Sequence, residues 1–315
     1  MKFYIVDAFT DTLFGGNPAG VVILDRGTDF PKDEVMLKTA AELRYSETAF
    51  IKQTGEKEFH LRYFTPAAEV DLCGHATIGS FFAMAEAGLA PFGSSYICNT
   101  LAGCLNIDLS GNTVLMDMGN PEAIDKITDP DALRELYGVM GIREENQGTV
   151  LRKKIHAEST ESKDEFALLP DEKFALIPEM VSTGLPDIMM PVRDEKELAA
   201  IAPDFNALSR LSEKYEVVGV HAFTVNSEDG AIHCRNFAPL YDIDEEAATG
   251  TSNGALTYYL YKNGLLCEGT ENLFIQGEAM NRPSKITSRL TLDGEIIKIQ
   301  VGGSAAILAC GEINL

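Results

Sequence analysis

Positive charge is scarce in this sequence. Its 315 residues include 26 Lys and Arg against 48 Asp and Glu, which gives a net charge of −22. A field of that sign repels phosphate backbones and anionic lipids, so we expect neither nucleic acid nor a membrane surface as a partner. A small anionic substrate would need a local positive site to overcome the same field.

Long apolar runs and closely paired cysteines are also missing. No stretch reaches the roughly 18 apolar residues that a membrane-spanning helix needs. The N-terminus alternates like a strand and does not resemble a secretory signal. The six cysteines contain no C-x-x-C pair and are scattered like buried thiols. This pattern is typical of the reducing cytosol, so we expect a cytoplasmic protein.

The usual signatures of metal and nucleotide sites are absent as well. The five histidines have no metal-ligand spacing. There is no Rossmann fingerprint, no P-loop and no G-x-S-x-G elbow. We therefore expect no metal, no nucleotide cofactor and no serine-hydrolase triad.

Gly-containing turns separate strand-like runs at four places and predict β-hairpins. The four segments are FIKQ-TGEK-EFHLRYF, LNIDL-SGN-TVLMDM, FTVN-SEDG-AIHCRNF and RLTL-DG-EIIKIQV. Helices are predicted between hairpins at 31–43 and at 129–138, the second with an Asp cap and a closing Gly. Hairpins beside helices favour an α+β fold over a regular βαβ succession. The polar segment at about 143–165 is predicted to be a solvated insertion.

An internal echo suggests a duplicated unit. Gly74 and Gly88 bracket a helical stretch of the same length as that between Gly250 and Gly264, at an offset of 176 residues, and an F-x-P triplet precedes each. Upstream, a G-x-P triplet and an Ala-Phe pair recur at offsets of 168 and 173. The ordered set predicts two similar halves, each with antiparallel strands around one central helix, and a small-molecule cleft between them.

The starts of the two central helices are candidate anion sites. They read Gly74-His75-Ala76-Thr77 and Gly250-Thr251-Ser252. A helix N-terminus offers free N–H groups and a partial positive charge, and glycine lets a ligand approach the backbone closely. Two such ends at one cleft would bind a carboxylate despite the net charge. The alternative is that these residues only cap helices.

The echo also shows where the halves differ. Glu47 falls opposite Val220, and His75 falls opposite Thr251. Glu47 is flanked by apolar residues, which would raise its pKa toward the range of a general base, although it could also be a solvated loop residue. His75 would stay neutral at a helix start, or it could simply be a capping histidine.

Two more residues lie near the helix starts. Cys73 directly precedes Gly74, where a thiol can act as a base or nucleophile, or can be a small buried side chain. Its echo position is Thr249, so a second thiol is missing. Glu246 is the member of the acidic run 242–246 best placed to enter the cleft.

These residues together resemble the PhzF-like family, named for phenazine biosynthesis, whose fold is that of diaminopimelate epimerase. The matching segments cover nearly the whole chain and are VDAFTDTLFGGNPAGVV, SETAF, FTPAAEVDLCGHAT, FAPLYDIDEEAATGTSNGAL and QGEAMNRPS. The resemblance implies an α+β fold of two pseudo-symmetric halves, each a β-barrel-like mixed sheet wrapped around a central helix. We expect the halves at 1–118, with a C-terminal strand at about 304–315, and at 119–303. It also implies a homodimer that needs no metal or organic cofactor.

The family's motifs fall on specific positions of this sequence. Its catalytic glutamate corresponds to Glu47 and its Gly-His pair to Gly74 and His75. Its acidic partner falls on Glu246, where the phenazine enzyme has Asp, and its Gly-Ser falls on Gly250 and Thr251. These two departures change the pocket by a methylene and a methyl group. The predicted catalytic residues are Glu47, His75 and Glu246, and the predicted substrate-binding residues are Asn17, Ser46, Gly74, Ala76, Gly250 and Thr251.

The resemblance and the residues together favour one function. We expect a cofactor-independent isomerase that moves a proton between carbons of a small carboxylate-bearing metabolite. Glu47 would carry the proton, while His75 and Glu246 would orient polar substituents. One alternative is an epimerase or racemase that uses Cys73 and Glu47, although the related epimerases use two thiols and Thr249 replaces the second. Another is a non-catalytic metabolite-binding protein on the same scaffold.

Overall fold

The computed structural model describes residues 1–143 and 176–315. The polar segment predicted at about 143–165 therefore lies outside the described residues, apart from Arg143. Among the described helices, none is both long and apolar enough to cross a membrane.

The N-terminal part of the chain is rich in strands. Its elements are β1 (Lys2–Ala8), β2 (Asn17–Ile23), α1 (Asp33–Leu43), β3 (Thr48–Gln53), β4 (Glu58–Phe64), β5 (Glu69–Val70), α2 (Gly74–Glu86), β6 (Ser94–Thr100), β7 (Gly103–Ser110), β8 (Thr113–Asp117) and β9 (Glu122–Lys126). β1 and β2 are antiparallel, β2 and β3 parallel, and β3 and β4 antiparallel. β4 then pairs in parallel with β6, and β6, β7 and β8 form an antiparallel meander.

Among the described residues, the C-terminal part contains four α-helices as well as nine strands. Its elements are α3 (Pro130–Val139), β10 (Glu179–Ser182), β11 (Pro186–Pro191), α4 (Glu195–Ala200), α5 (Phe205–Tyr215), β12 (Gly219–Thr224), β13 (Ile232–Ala238), β14 (Ile243–Glu246), α6 (Gly250–Lys262), β15 (Glu271–Gln276), β16 (Ser284–Asp293), β17 (Ile296–Gly303) and β18 (Ala305–Glu312). β10 and β11 are antiparallel, β11 and β12 parallel, and β12 and β13 antiparallel. β13 pairs in parallel with β15, and β15, β16 and β17 are antiparallel.

Three antiparallel pairings join these two parts. β18 returns to pair with β1, β17 pairs with β8, and β10 pairs with β9. As a result, all the described strands belong to one hydrogen-bonded sheet. The prediction of a mixed, sheet-dominated α+β fold is confirmed.

The main core surrounds α2 and α6. Apart from His75, the sequence of α2 is small or apolar all round until Glu86, which is typical of a helix buried inside a sheet. Phe59, Phe81 and Tyr259 are among the large side chains buried in this core. Two smaller apolar clusters lie under α3–α5 and under α1.

The local predictions can be compared element by element. All four hairpins form, as β3–β4, β7–β8, β12–β13 and β16–β17. The side chain of Asp129 caps α3 by accepting from the amides of Asp131 and Ala132. The closing glycine was wrong, because Gly138 lies inside α3. The left-handed conformation that favours glycine occurs instead at Gly141, where φ is +76°.

Candidate active site

The two central helices begin side by side. A β-carbon added to Gly74 would lie 4.0 Å from the α-carbon of Gly250. The first helical hydrogen bond of α2 runs from the amide of Thr77 to the carbonyl of Cys73 (3.0 Å). That of α6 runs from the amide of Asn253 to the carbonyl of Thr249 (3.1 Å). The first three amides of each helix therefore have no helical carbonyl partner. Two positive helix ends therefore meet at one place, and the amide of Ala76 also contacts the Cys73 thiol.

Glu47 reaches this place from the turn between α1 and β3. The chain leaves α1 through Arg44, whose φ of +61° reverses its direction. The carbonyl of Glu47 then accepts from the amide of Gly20 (3.3 Å), which fixes the backbone beside β2. The Oε2 atom lies 3.2 Å from Nε2 of His75. The side chain of Glu47 is 17% exposed, although its Oε2 atom is buried.

His75 is the second residue of α2 and is almost fully buried. Besides Glu47, its Nε2 atom lies 3.3 Å from Oγ of Ser46. Its Nδ1 atom lies 3.4 Å from Sγ of Cys73 and 3.9 Å from Oε1 of Glu246. The imidazole ring is thus placed between two carboxyl groups that come from distant parts of the chain.

Asn17, the first residue of β2, connects the two sides. Its Nδ2 atom donates to Oε1 of Glu246 and to the carbonyl of Ala248, each at 3.1 Å. It also lies 3.2 Å from Nδ1 of His75. An amide has only two hydrogens, and the two oxygens can take both. Nδ1 of His75 is therefore free to carry a proton of its own.

Glu246 ends β14 and is held by two residues that were not among the predicted site residues. Thr249 donates its hydroxyl to Oε2 of Glu246 at 2.6 Å. Gln276, fully buried at the end of β15, donates to the backbone carbonyl of Glu246 at 2.7 Å. Gln276 opens the matched segment QGEAMNRPS, so a signal was available. From the sequence, Thr249 was considered only because it stands where the related epimerases have a second thiol.

The remaining predicted residues contribute mainly their backbone. Gly74 and Gly250 are the first residues of their helices, and Ala76 is fully buried in the first turn of α2. Thr251 is partly buried, and its carbonyl accepts from the hydroxyl of Thr183 at 3.0 Å. The structure therefore brings all nine predicted site residues to the paired helix starts.

The protonation states expected for Glu47 and His75 were wrong. Burial raises the pKa of Glu47, but hydrogen bonding to His75 and the charge of that ring outweigh it, so the pKa is lowered overall. Burial lowers the pKa of His75, yet Cys73 and the carboxylate of Glu47 hold it well above its usual range. Because the thiol is neutral near pH 7, we attribute the shift to Glu47. The two residues form a buried ion pair, which the sequence could not show.

Glu246 behaves in the opposite way. Burial raises its pKa, and the nearby Glu47 carboxylate adds to this, although His75, Thr249 and Asn17 oppose it. Two carboxyl groups on either side of one imidazole are thus shifted in opposite directions. Such a separation is typical of acid–base sites in which the two groups have different tasks.

Cys73 is a poor base in this setting. Burial, and then the charge of Glu47, raise the pKa of its thiol to about 11. It remains a neutral thiol near pH 7, and a thiol is far less nucleophilic than a thiolate.

One group of side chains in the described part of the chain could hold a metal ion. The ligand atoms of Glu47, Cys73 and His75 lie within 4.8 Å of one another. Nitrogen, sulfur and oxygen donors of this kind suit zinc. The expectation that the protein works without a metal therefore stays a prediction.

The sequence matches the family model described as phenazine biosynthesis-like protein over residues 6–311. The chain belongs to this family. It is 32% identical to an uncharacterized isomerase of Clostridium acetobutylicum, over 100% of this chain and 98% of that protein. It is 30% identical to the uncharacterized isomerase YddE of Escherichia coli K12, over 99% of this chain and 97% of that protein. The predicted PhzF-like family and the isomerase class are confirmed.

Solved structures of the family share the fold. A PhzF family protein of Bacillus anthracis superposes with a TM-score of 0.80 at 24% identity, over 100% of this chain and 99% of its own. A PhzF family protein of Enterococcus faecalis gives 0.72 at 26% identity, with the same coverage. A hydroxyproline epimerase of Agrobacterium vitis, bound to trans-4-hydroxy-L-proline, gives 0.56 at 14% identity, over 99% of this chain and 90% of its own. The PhzF family and hydroxyproline epimerase structures place this chain in the diaminopimelate epimerase-like fold.

Proposed function

We propose that this PhzF family member is a cofactor-independent isomerase that moves a proton between two carbon atoms of a small carboxylate-bearing metabolite. Glu47 removes the proton from one carbon and returns it to another carbon of the same conjugated system. The observation that carries the proposal is the Glu47 carboxylate, 3.2 Å from His75 and beside two paired helix starts. Its lowered pKa keeps it deprotonated at neutral pH, as a base must be before it reacts.

In this proposal the carboxylate of the substrate binds to the helix starts. The amides of Gly74, Ala76, Gly250 and Thr251 have no carbonyl partner within their helices. Positive helix ends stabilise an anion by about 0.3 to 1 kcal/mol each, and more when the site is partly buried. They supply the local positive site that a chain with a net charge of −22 needs.

Polar substituents of the substrate contact the residues around the imidazole. His75 and Glu246 orient them, and Asn17 and Ser46 line the same place. Glu246 and Thr251 stand where the phenazine enzyme has Asp and Ser, so the pocket differs in shape. The proposed substrate is therefore a small carboxylate, and not specifically the phenazine intermediate.

The epimerase alternative is less compatible with the geometry. Inversion by two bases needs one on each face of the reacting carbon, each about 3 to 3.5 Å away, and hence about 6 to 7 Å apart. The reactive atoms of Glu47 and Cys73 lie within 4.8 Å of each other and contact the same imidazole. They would approach a substrate from the same side, whereas inversion needs groups on opposite faces.

The proposal includes the origin and assembly of the fold. We infer two duplicated halves, one of residues 1–118 with 304–315 and the other of 119–303. The same order of pairings in both parts supports this: antiparallel, parallel, antiparallel, parallel, then a meander. α2 and α6 take equivalent places in that order. A cytoplasmic homodimer completes the proposal.

The test begins with a thermal-shift screen of small carboxylates, because a ligand that binds only the folded state raises the melting temperature. Hits are then incubated with the enzyme and examined by NMR for a shifted double bond or an inverted stereocentre. The isomerase predicts the first and the epimerase the second. Glu47→Gln should abolish turnover, whereas Glu42→Gln, an exposed glutamate on α1, should not. Hits that bind but never react would contradict the proposal and favour a binding protein.

A further inference from the structure

A second polar cluster lies behind the first turn of α6. It consists of Asp187 on β11, His221 on β12, Asn236 on β13 and Ser252 on α6, all buried. We call it the Asp187 cluster. Ser252 donates its hydroxyl to Oδ2 of Asp187 at 2.5 Å and accepts from the Asn236 amide at 3.1 Å. Of these four residues, only Ser252 belongs to a helix start that the sequence predicted as an anion site.

His221 brings no charge to this cluster. The amide nitrogen of Asn236 lies 3.2 Å from its Nδ1 atom and donates to it, so the ring proton is on Nε2. Complete burial lowers the pKa of His221 to about 3. The ring is therefore neutral at every pH at which the protein would be assayed.

Within the described part of the chain, Asp187 consequently has no cation to balance it. Its Oδ1 atom makes no hydrogen bond to the described residues, and neither does Nε2 of His221. Around it, β12 contributes His221 and the Gly219 amide, β13 contributes Asn236, α6 contributes Ser252, and β10 contributes the apolar Val181. Burial raises the pKa of Asp187 to about 6, although hydrogen bonds from Ser252 and Gly219 oppose it.

The position of the cluster connects it to the proposed anion site. Ser252 is the third residue of α6, and its amide is one of the donors at the helix start. The Asp187 carboxyl is thus a single hydrogen bond away from the turn that would hold a carboxylate. Two like charges roughly 10 Å apart, at an effective dielectric constant of about 20 and with the weak salt screening of buried groups, change a binding constant by about tenfold.

We propose that Asp187 is a positioning residue that controls, through Ser252, how strongly the start of α6 binds a carboxylate. The neutral form of Asp187 holds the turn and permits anion binding. The charged form holds the same turn but opposes the anion. This inference rests on the proposed function, because it assumes that the helix starts bind the carboxylate.

The test uses formate as the probe and the full-length, isotope-labelled protein. Formate is titrated at pH 5 and pH 8 while the amide signals of Gly250 and Thr251 are followed by NMR. In the wild type, the affinity for formate, measured from the Gly250 and Thr251 signals, should fall between pH 5 and pH 8. This fall should be about tenfold larger than the fall in Asp187→Asn. Thr183→Val removes a neutral hydrogen bond to the same turn and should keep the wild-type dependence.

A second measurement needs no variant. Linkage is reciprocal, so bound formate must strengthen proton binding to Asp187 by the same factor by which protonation strengthens formate binding. The titration midpoint of the Asp187 carboxyl rises accordingly. That corresponds to about one pH unit for a tenfold effect. If the midpoint stays fixed and Asp187→Asn keeps the wild-type pH dependence, the inference is wrong while the carboxylate site stands. If formate perturbs neither helix start in any protein, both are wrong.

Discussion

Breaking the ion pair between Arg282 and Asp7 should destabilise the protein and displace Asn17. Arg282 donates to Asp7 at 2.7 Å and to the carbonyls of Gly15 and Gly16 at 2.7 and 2.9 Å. These bonds fasten the loop that leads into β2, whose first residue is Asn17. Asp7 is almost fully buried, whereas 28% of the Arg282 side chain is exposed.

The expected magnitude follows from this burial. Arg282→Met leaves the Asp7 carboxylate with the amide of Phe14, 2.9 Å away, as its remaining donor among the described residues. Removing one partner of a buried pair costs about 3 to 5 kcal/mol, and the partial exposure of Arg282 places the cost near 3 kcal/mol. In Asp7→Asn/Arg282→Met no charge is left unpaired, so the double variant should be more stable than the sum of the single effects predicts, by about 1.5 to 3 kcal/mol.

Urea unfolding followed by far-UV circular dichroism measures these free energies, since the chain has no tryptophan. Lys285→Met is the matched control in the same segment. Its partner Asp11 lies 2.9 Å away, but both side chains are more than half exposed, so the loss should stay below about 1 kcal/mol. An Arg282→Met cost as small as that of the control, or additive single effects, would refute the account of this pair.

Three further predictions concern buried groups. His75→Gln should raise the titration midpoint of Glu47, observed by carboxyl NMR, because burial then acts without a neighbouring imidazolium; an unchanged midpoint would contradict the ion pair. The folded-state pKa of Asp187 is raised to about 6. The neutral carboxyl therefore makes its full contribution to the free energy of unfolding below pH 3.8, and this contribution is lost as the pH rises through 6. Asp187→Asn should therefore gain up to about 3 kcal/mol relative to the wild type between pH 4 and pH 8, and urea unfolding showing no relative gain would count against an uncompensated charge. Cys73→Ser should retain activity within about tenfold, because the neutral thiol takes no proton; an inactive variant would restore the thiol-based alternative.

Much of the fold could be predicted from local patterns. The hairpins follow from Gly-containing turns, and the start of α3 follows from the Asp129 cap, because these signals act within a few residues. Gly138 shows the limit: a glycine ends a helix only where the chain adopts a positive φ, and that depends on what the next residues contact. The helix starts at Gly74 and Gly250 could also be predicted, because each of these glycines is followed by a second glycine at the same distance along the chain.

The electrostatics of the site could not be predicted in the same way. An apolar local sequence indicates burial, and burial alone would have raised the pKa of Glu47. The direction reverses because His75, 28 positions later, lies 3.2 Å away. Gln276 and Asp187 were missed for a related reason. Their roles come from contacts with Glu246 and Ser252, which only the folded chain brings together.

The central claim is that Glu47 carries the proton. The most direct test measures how fast deuterium from heavy water enters a carboxylate substrate during turnover. This rate is compared between the wild type and Glu47→Gln. The glutamine keeps the shape of the side chain but cannot accept a proton, so incorporation should fall by at least about 10² to 10⁴. Affinity for the carboxylate should change little, because the helix starts hold it. Incorporation within a few-fold of the wild-type rate would contradict the account.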